Sequence, residues 1–165
     1  NKICKKKKVN FFKRDKKFSS INASSFQVIN EFIKKKKLKK NDSIIYLQPT
    51  SPFRNKNHID SSIKMFTKNS FVSVIGVKKI DVDVFKCIKI ISKRTKSLFK
   101  EKYMTTNRQN FPDVYEPNGA IYVFKVKNFL IKKHVPTSNC LPFIMNEKDS
   151  TDIDNYEDLK KAREL

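Results

Sequence analysis

Ser43-Ile44-Ile45-Tyr46-Leu47-Gln48-Pro49-Thr50-Ser51-Pro52-Phe53-Arg54 is the stretch on which the fold turns. Its first half, after the Asn41-Asp42 turn signal, is a short apolar and β-branched run, the pattern of a strand buried on both faces. Its second half holds two prolines, which bar regular helix or a central strand. A shaped loop must therefore follow the strand's carboxyl end. Downstream, Ile59, Ile63 and Phe66 share one face of a helix expected over 58–67, and a strand is expected over 71–77. Strand, loop, helix, strand is an α/β signature.

Upstream, Val9 to Phe12 reads as a brief strand. Ser24 followed by Gln27 fits a capping box, and Phe26, Ile29 and Ile33 then recur at helical spacing. Between Ile80 and Pro117 the pattern loosens: a strand is expected over 84–91, then a polar arm with Tyr103, Arg108 and Pro112. Strand character returns over 120–124 after the Pro117-Asn118-Gly119 turn, and again over 141–145. Residues 155–165 read as a helix with Glu157 and Asp158 in its first turn and Lys160, Lys161 and Arg163 in its last, matching the helix dipole.

The 165 residues fit one compact domain, and 38% hydrophobic content with 14 phenylalanines provides a core. The net charge of +21 would ordinarily point to nucleic acid or an anionic membrane surface. Here lysine, asparagine, isoleucine and phenylalanine are abundant together while Ala, Gly and Trp are scarce, the drift of an AT-rich genome. A solvated lysine coat is the reading preferred over nucleic-acid binding, and the runs Lys5 to Lys8 and Lys34 to Lys37 add little to the rival. Cys4, Cys87 and Cys140 show no metal-ligand or disulfide spacing and read as reduced, partly buried thiols. No apolar stretch approaches bilayer length, so the expectation is a cytoplasmic protein with no membrane partner.

Asp152-Ile153-Asp154 is the strongest chemical candidate, because alternate side chains of an extended segment point the same way and two carboxylates can share a hard cation. Helix capping by Asp154 is the competing explanation. Gln48 stands where open α/β sheets bind ligands, beyond the strand ends, and its amide can read a hydroxyl or a base edge; a solvated turn residue explains it equally. Arg108 offers a fork for a carboxylate or phosphate. Lys86, Arg14 and Tyr122 are weaker anion or hydroxyl contacts, and His58 and His134 lack a nucleophile partner and read as structural or exposed.

In order along the chain, Leu47-Gln48-Pro49-Thr50-Ser51-Pro52-Phe53-Arg54, Arg108-Gln109-Asn110-Phe111-Pro112, Pro117-Asn118-Gly119-Ala120-Ile121-Tyr122 and Ser150-Thr151-Asp152-Ile153-Asp154 lead to Glu157-Asp158-Leu159. This series resembles the acylneuraminate cytidylyltransferase family, with its LQPTSPLR, RQxxP, PNGAIY and S-x-DID segments before an acidic helix start. The resemblance implies a Rossmann-like nucleotidyltransferase with a mostly parallel sheet and a small dimerisation arm, here 80–117, reaching towards a neighbouring subunit. It implies that Asp152 and Asp154 bind Mg²⁺ and are catalytic, that Gln48, Lys86, Arg108 and Tyr122 surround a sugar acid, and that Arg14, Ser24 and Ser25 belong to a nucleotide pocket.

The implied reaction transfers CMP from CTP to a nonulosonic, sialic-acid-like sugar and releases pyrophosphate, in a homodimer. Legionaminic, pseudaminic and 3-deoxy-octulosonic acids are alternative substrates, since each offers a carboxylate to Arg108. A non-enzymatic basic nucleic-acid-binding protein is the rival from another class. The family's glycine-rich loop, which cradles the CTP phosphates with backbone N–H groups, has no counterpart: the chain holds only Gly76 and Gly119. Asp15 stands where the family usually has proline, and Ile21 where it often has aspartate. The expectation is a single cytidylyltransferase domain over 1–165 lacking its amino-terminal phosphate-loop segment, a fragment inactive alone.

Overall fold

The computed structural model describes residues 2–20 and 22–165; Ile21 lies outside the described residues. Helices α1 (Lys2–Lys6) and α2 (Ser25–Lys35), strand β1 (Ser43–Tyr46), helix α3 (Lys56–Lys68) and strand β2 (Val74–Ile80) come first. Strands β3 (Ile88–Ile91), β4 (Arg94–Ser97) and β5 (Val114–Lys125) follow, then α4 (Val126–Lys132), β6 (Leu141–Ile144) and α5 (Tyr156–Glu164). A four-stranded sheet has the order β1-β5-β2-β6, and β3 and β4 form a separate antiparallel hairpin.

The sheet is mixed and mostly antiparallel, which corrects the expectation of a mostly parallel one. β1 pairs with β5 antiparallel, Ser43 opposite Lys125 and Tyr46 opposite Tyr122. Leu141 N–H donates to Ser73 O and Met145 N–H to Val77 O, a constant offset that makes β6 parallel to β2. β5 lies between β1 and β2, so the strands that α3 connects are not neighbours in the sheet. β1 consequently sits at an edge of this sheet, and its alternating half-buried and exposed residues, with Ile45 at 40% exposure, replace the two-sided burial expected of it.

Two further expectations fail for local reasons. Residues 9–12 are irregular, not a strand: Val9 is exposed and Phe12 instead packs edge-on against Phe32 of α2 at 5.1 Å. The strand expected over 84–91 starts only at Ile88, because Asp81 caps a 3₁₀ turn over Val82–Lys86 by accepting from Asp83 N–H.

The chain divides into two compact units. The first comprises 1–46, 60–75 and 122–141. Its core is Ile29 and Ile33 of α2, Phe66 of α3 and Val123, Phe124, Val126 and Phe129, with Phe129 stacked between Phe26 and Phe124 at 5.0 and 5.6 Å. The second comprises 47–59, 76–121 and 142–165. Within it the segment 80–117 has an aromatic nucleus of its own, Phe85 lying 4.9–5.3 Å from Phe99, Tyr103 and Phe111.

Candidate active site

In the second unit, three of the quoted segments converge on Asn118-Gly119-Ala120. Asn118 is buried, and its side chain serves both neighbours: Nδ2 donates to Ser150 Oγ at 2.9 Å and Oδ1 accepts from Ala120 N–H at 3.1 Å. Gly119 follows with φ +73°, and a Cβ there would collide with the Gln48 amide oxygen and approach Ser51 Oγ at 3.3 Å. Glycine is thus required twice, for its backbone angle and for the close approach of the loop.

Arg54 clamps the Gln48–Arg54 loop, its Nη1 donating to Gln48 O at 3.1 Å and to Ala120 O at 2.7 Å. Burial pulls its pKa below the usual arginine range, but a guanidinium there remains charged. Ser51, fully buried, donates weakly to Asn118 O at 3.4 Å. On the other side Ile153 N–H donates to Thr50 O at 2.9 Å, tying the Asp152-Ile153-Asp154 segment to the loop by backbone alone. Arg54, Asn118, Ser51 and Ser150 were not singled out as site residues in the sequence. Their signal lay inside the quoted motifs, as polar side chains beside prolines and glycine.

The two aspartates differ. Asp152 is half-buried, and its Oδ1 is buried without a hydrogen-bond partner, whereas Asp154 is exposed. A desolvated carboxylate oxygen with no donor is costly unless a cation takes the place of one. The capping role proposed for Asp154 belongs to its neighbour: Asn155 Oδ1 accepts from Asp158 N–H at 3.0 Å, and Asp158 accepts in return from Asn155 and Asp154 N–H at 3.2 and 3.1 Å. The Asp154 carboxylate takes no part in that cap. Among the described residues no group of three or more His, Cys, Asp or Glu side chains is placed to hold a metal. A pair of carboxylates still fits Mg²⁺, which keeps waters and phosphate oxygens around one or two protein ligands.

Other expected residues are distributed differently. Arg108, exposed on the 80–117 segment, is ion-paired with Asp83, and Lys86 places Nζ 5.9 Å from the Phe111 ring centroid. In the first unit Ser25 Oγ lies 3.4 Å from the Tyr46 hydroxyl, and the Tyr46 ring lies 5.8 Å from that of Tyr122. Ser24 spends its hydroxyl on the α2 capping box, accepting from Gln27 N–H at 3.3 Å. Arg14 is exposed, and next to it Asp15 N–H donates to Glu31 Oε1 at 2.9 Å while Asp15 pairs with Lys35 at 2.5 Å. His58 is structural as expected, Nε2 lying 3.5 Å from Asp149 Oδ2, and His134 is exposed.

No family model matches the chain. Curated relatives do. The chain is 31% identical over 153 residues to the N-acylneuraminate cytidylyltransferase of Escherichia coli O18:K1:H7, a match covering 92% of the chain and 36% of that enzyme. It is 30% identical over 117 residues to the CMP-N,N'-diacetyllegionaminic acid synthase of Legionella pneumophila, covering 68% of the chain and 49% of the relative. It is 23% identical over 156 residues to the pseudaminic acid cytidylyltransferase of Campylobacter jejuni, covering 93% and 67%. The chain spans little more than a third of the length of the Escherichia coli enzyme. In sequence, then, it is a partial counterpart of the N-acylneuraminate cytidylyltransferases and of the legionaminic and pseudaminic acid enzymes named beside them.

Proposed function

We propose that the chain contributes the metal and sugar-acid side of a cytidylyltransferase of Rossmann-like type, which joins CMP from CTP to a nonulosonic acid with release of pyrophosphate. The observation that supports this most directly is the buried, partnerless Asp152 Oδ1 on a segment bonded to the Gln48 loop. Asp152 and Asp154 would hold Mg²⁺, which when bound neutralises phosphate charge and favours ionisation of the attacking sugar hydroxyl. The chain's own side chains orient. Gln48 keeps its amide oxygen against Gly119, which leaves its NH₂ to donate to a sugar hydroxyl. Arg108 forks onto the sugar carboxylate and keeps it from the triphosphate's charge, exchanging Asp83 for the substrate. Lys86 adds positive charge on the same segment, Tyr122 a hydroxyl, and Arg14, Ser24 and Ser25 contacts to the nucleotide.

Such chemistry depends on in-line positioning and charge neutralisation. The sugar is a sialic-acid-like nonulosonic acid, legionaminic and pseudaminic acids being alternatives favoured by the relatives' named products. The 80–117 segment, with Ile88, Ile90 and Ile91 exposed on its hairpin, supplies the interface of a homodimer. No helix among the described residues is long and apolar enough to cross a membrane, and a cytoplasmic setting suits the substrates.

The test joins this chain to a glycine-rich amino-terminal segment of the kind the family resemblance implies and measures CMP-sugar formation across a Mg²⁺ titration with a panel of sugar acids. Asp154→Asn should cut turnover at least ~100-fold, the scale of losing one charge-stabilising contact in a transition state, with an unchanged circular dichroism spectrum. Near-normal rates in that variant would remove the metal assignment.

A further inference from the structure

A cavity of about 520 Å³ opens in the first unit beside the amino ends of β1, β2 and β6, where Asn41, Ser73 and Asn139 line it. Lys125, Lys127 and Lys132 also line it, and among the described residues no Asp or Glu does. In a chain with 37 basic residues, three lysines around a hollow are unremarkable by count. What sets Lys125 and Lys132 apart is how they are held. Lys125 Nζ donates to Asn41 O at 2.8 Å and lies 4.1 Å from the Phe71 ring centroid, while Lys132 Nζ donates to Ser138 O and Oγ at 2.7 and 3.1 Å. An ammonium has three N–H donors, so each keeps at least one unspent.

Elsewhere lysines meet carboxylates: Lys35 with Asp15 and Glu31, Lys78 with Glu116, Lys79 with Asp113. Among the described residues none of the three cavity lysines has a carboxylate partner. Side-chain amides add donors, Asn128 Nδ2 sitting 3.5 Å from Ser73 Oγ with its second N–H free of that contact. Ser70 and Phe71, with φ 53° and 62°, form the turn that ends α3, where Phe71 N–H donates to Phe66 O at 3.0 Å and sets the Phe71 ring at the cavity wall.

We propose that this cavity is an oxyanion site that takes a diphosphate group, with Lys125, Lys127 and Lys132 supplying charge and Asn128 and Ser73 supplying hydrogen bonds. Two anchored ammoniums with unspent donors, Lys125 and Lys132, beside the exposed Lys127 suit a ligand with several acceptor oxygens rather than one. Nothing in the proposal depends on the transferase reading.

The experiment titrates the 165-residue chain with inorganic pyrophosphate and, separately, with CDP, by calorimetry at ~0.1 M salt, where bare surface attraction is largely screened beyond ~10 Å. Saturable one-to-one binding of pyrophosphate is expected, and binding of CDP at the same place shows whether an esterified diphosphate also enters. The double variant Lys127→Gln/Lys132→Gln should weaken pyrophosphate at least ~tenfold, about the loss of one charge-assisted hydrogen bond. Lys36→Gln/Lys37→Gln removes the same charge elsewhere and should weaken it less than ~twofold. As a check independent of variants, pyrophosphate should shift the side-chain amide NMR signals of Asn128 and Asn139 in the unmodified chain. Absence of saturable binding, equal weakening by the two double variants, or unmoved amide signals at saturation would each overturn the proposal.

Discussion

Gly119 is the residue on which the candidate site most depends. Substituting alanine asks an L residue to hold φ +73° and drives its Cβ into the Gln48 amide oxygen. A loss on the order of 1 kcal/mol is expected, chiefly the positive-φ penalty, because the Gln48 amide is the end of a flexible side chain that can swing aside. Urea denaturation of Gly119→Ala measures it, and adding Gln48→Ala should recover part of the loss if the collision is real, because neighbouring changes are not additive. Asp83 is the second informative residue. It neutralises Arg108 on an exposed surface, so Asp83→Asn frees the guanidinium, and in the joined enzyme the KM for the sugar acid should fall while kcat stays within about twofold. A raised KM would mean that Asp83 orients Arg108 and does not compete for it. At this scale the motifs mark Gln48, Asp152 and Asp154 as candidates, since Gln48 precedes a proline and the aspartates precede a helix start. Asn118, Ser51 and Ser150 were not legible as a unit, because their hydrogen bonds join residues 32 and 67 positions apart.

At the scale of elements, local signals read well and non-local ones did not. The α2 capping box formed as Ser24 and Gln27 specify, and α3 and α5 lie within two residues of their expected limits, since caps and periodicity act within a turn or two. The edge position of β1 and the placement of β5 between β1 and β2 depend on pairing across some eighty residues, which no local pattern encodes. Asp15 shows a local departure repaired by tertiary contact. Where the resembled family usually has proline, this chain has an N–H that donates to Glu31 and a carboxylate that pairs with Lys35. The hydrogen bond from Lys35 lowers the Asp15 pKa, and the reciprocal bond from Asp15 raises that of Lys35. A lowered carboxylate adds stability that is present above its unfolded value, about 3.9, and lost as pH falls through the folded value. A raised ammonium adds stability present below its unfolded value, about 10.4, and lost as pH rises through the folded value. The pair therefore stabilises α2 and the 12–15 segment between roughly pH 4 and pH 10. Asp15→Asn should lower the urea midpoint at pH 7 and shrink the further drop between pH 5 and pH 3. Identical pH profiles for the variant and the unmodified chain would show that the pair is only a surface contact, the usual fate of exposed ion pairs.

For the molecule as a whole, a net charge of +21 on 165 residues makes self-repulsion a general destabilising term, and salt should relieve it. The thermal midpoint should rise between 0.01 and 0.2 M sodium chloride, where the screening length falls from ~30 Å to below 10 Å; a flat response would mean that local ion pairs already offset the repulsion. The same charge sustains the nucleic-acid rival, whose signature is affinity falling steeply with salt and indifferent to sequence. Catalytic competence is a separate question, and the glycines decide it. A triphosphate cradle needs consecutive backbone N–H groups free to turn towards the ligand, the role of a glycine-rich loop. Gly76 cannot serve, because it lies buried within β2 with Asn118 Oδ1 only 2.7 Å from where its Cβ would be. Gly119 cannot serve either, being buried in β5 with its open side filled by Gln48 and Ser51. Both glycines are consumed by packing, so lysine side chains would have to hold the triphosphate, and flexible ammoniums do not supply aligned backbone donors. The expected outcome is that residues 1–165 alone form no CMP-sugar from labelled CTP and any nonulosonic acid, while the chain joined to a glycine-rich segment does. Turnover by the 165-residue chain that requires Mg²⁺ and disappears in Asp154→Asn would sink this, and would place the phosphate site on a segment described here as ordinary helix or strand.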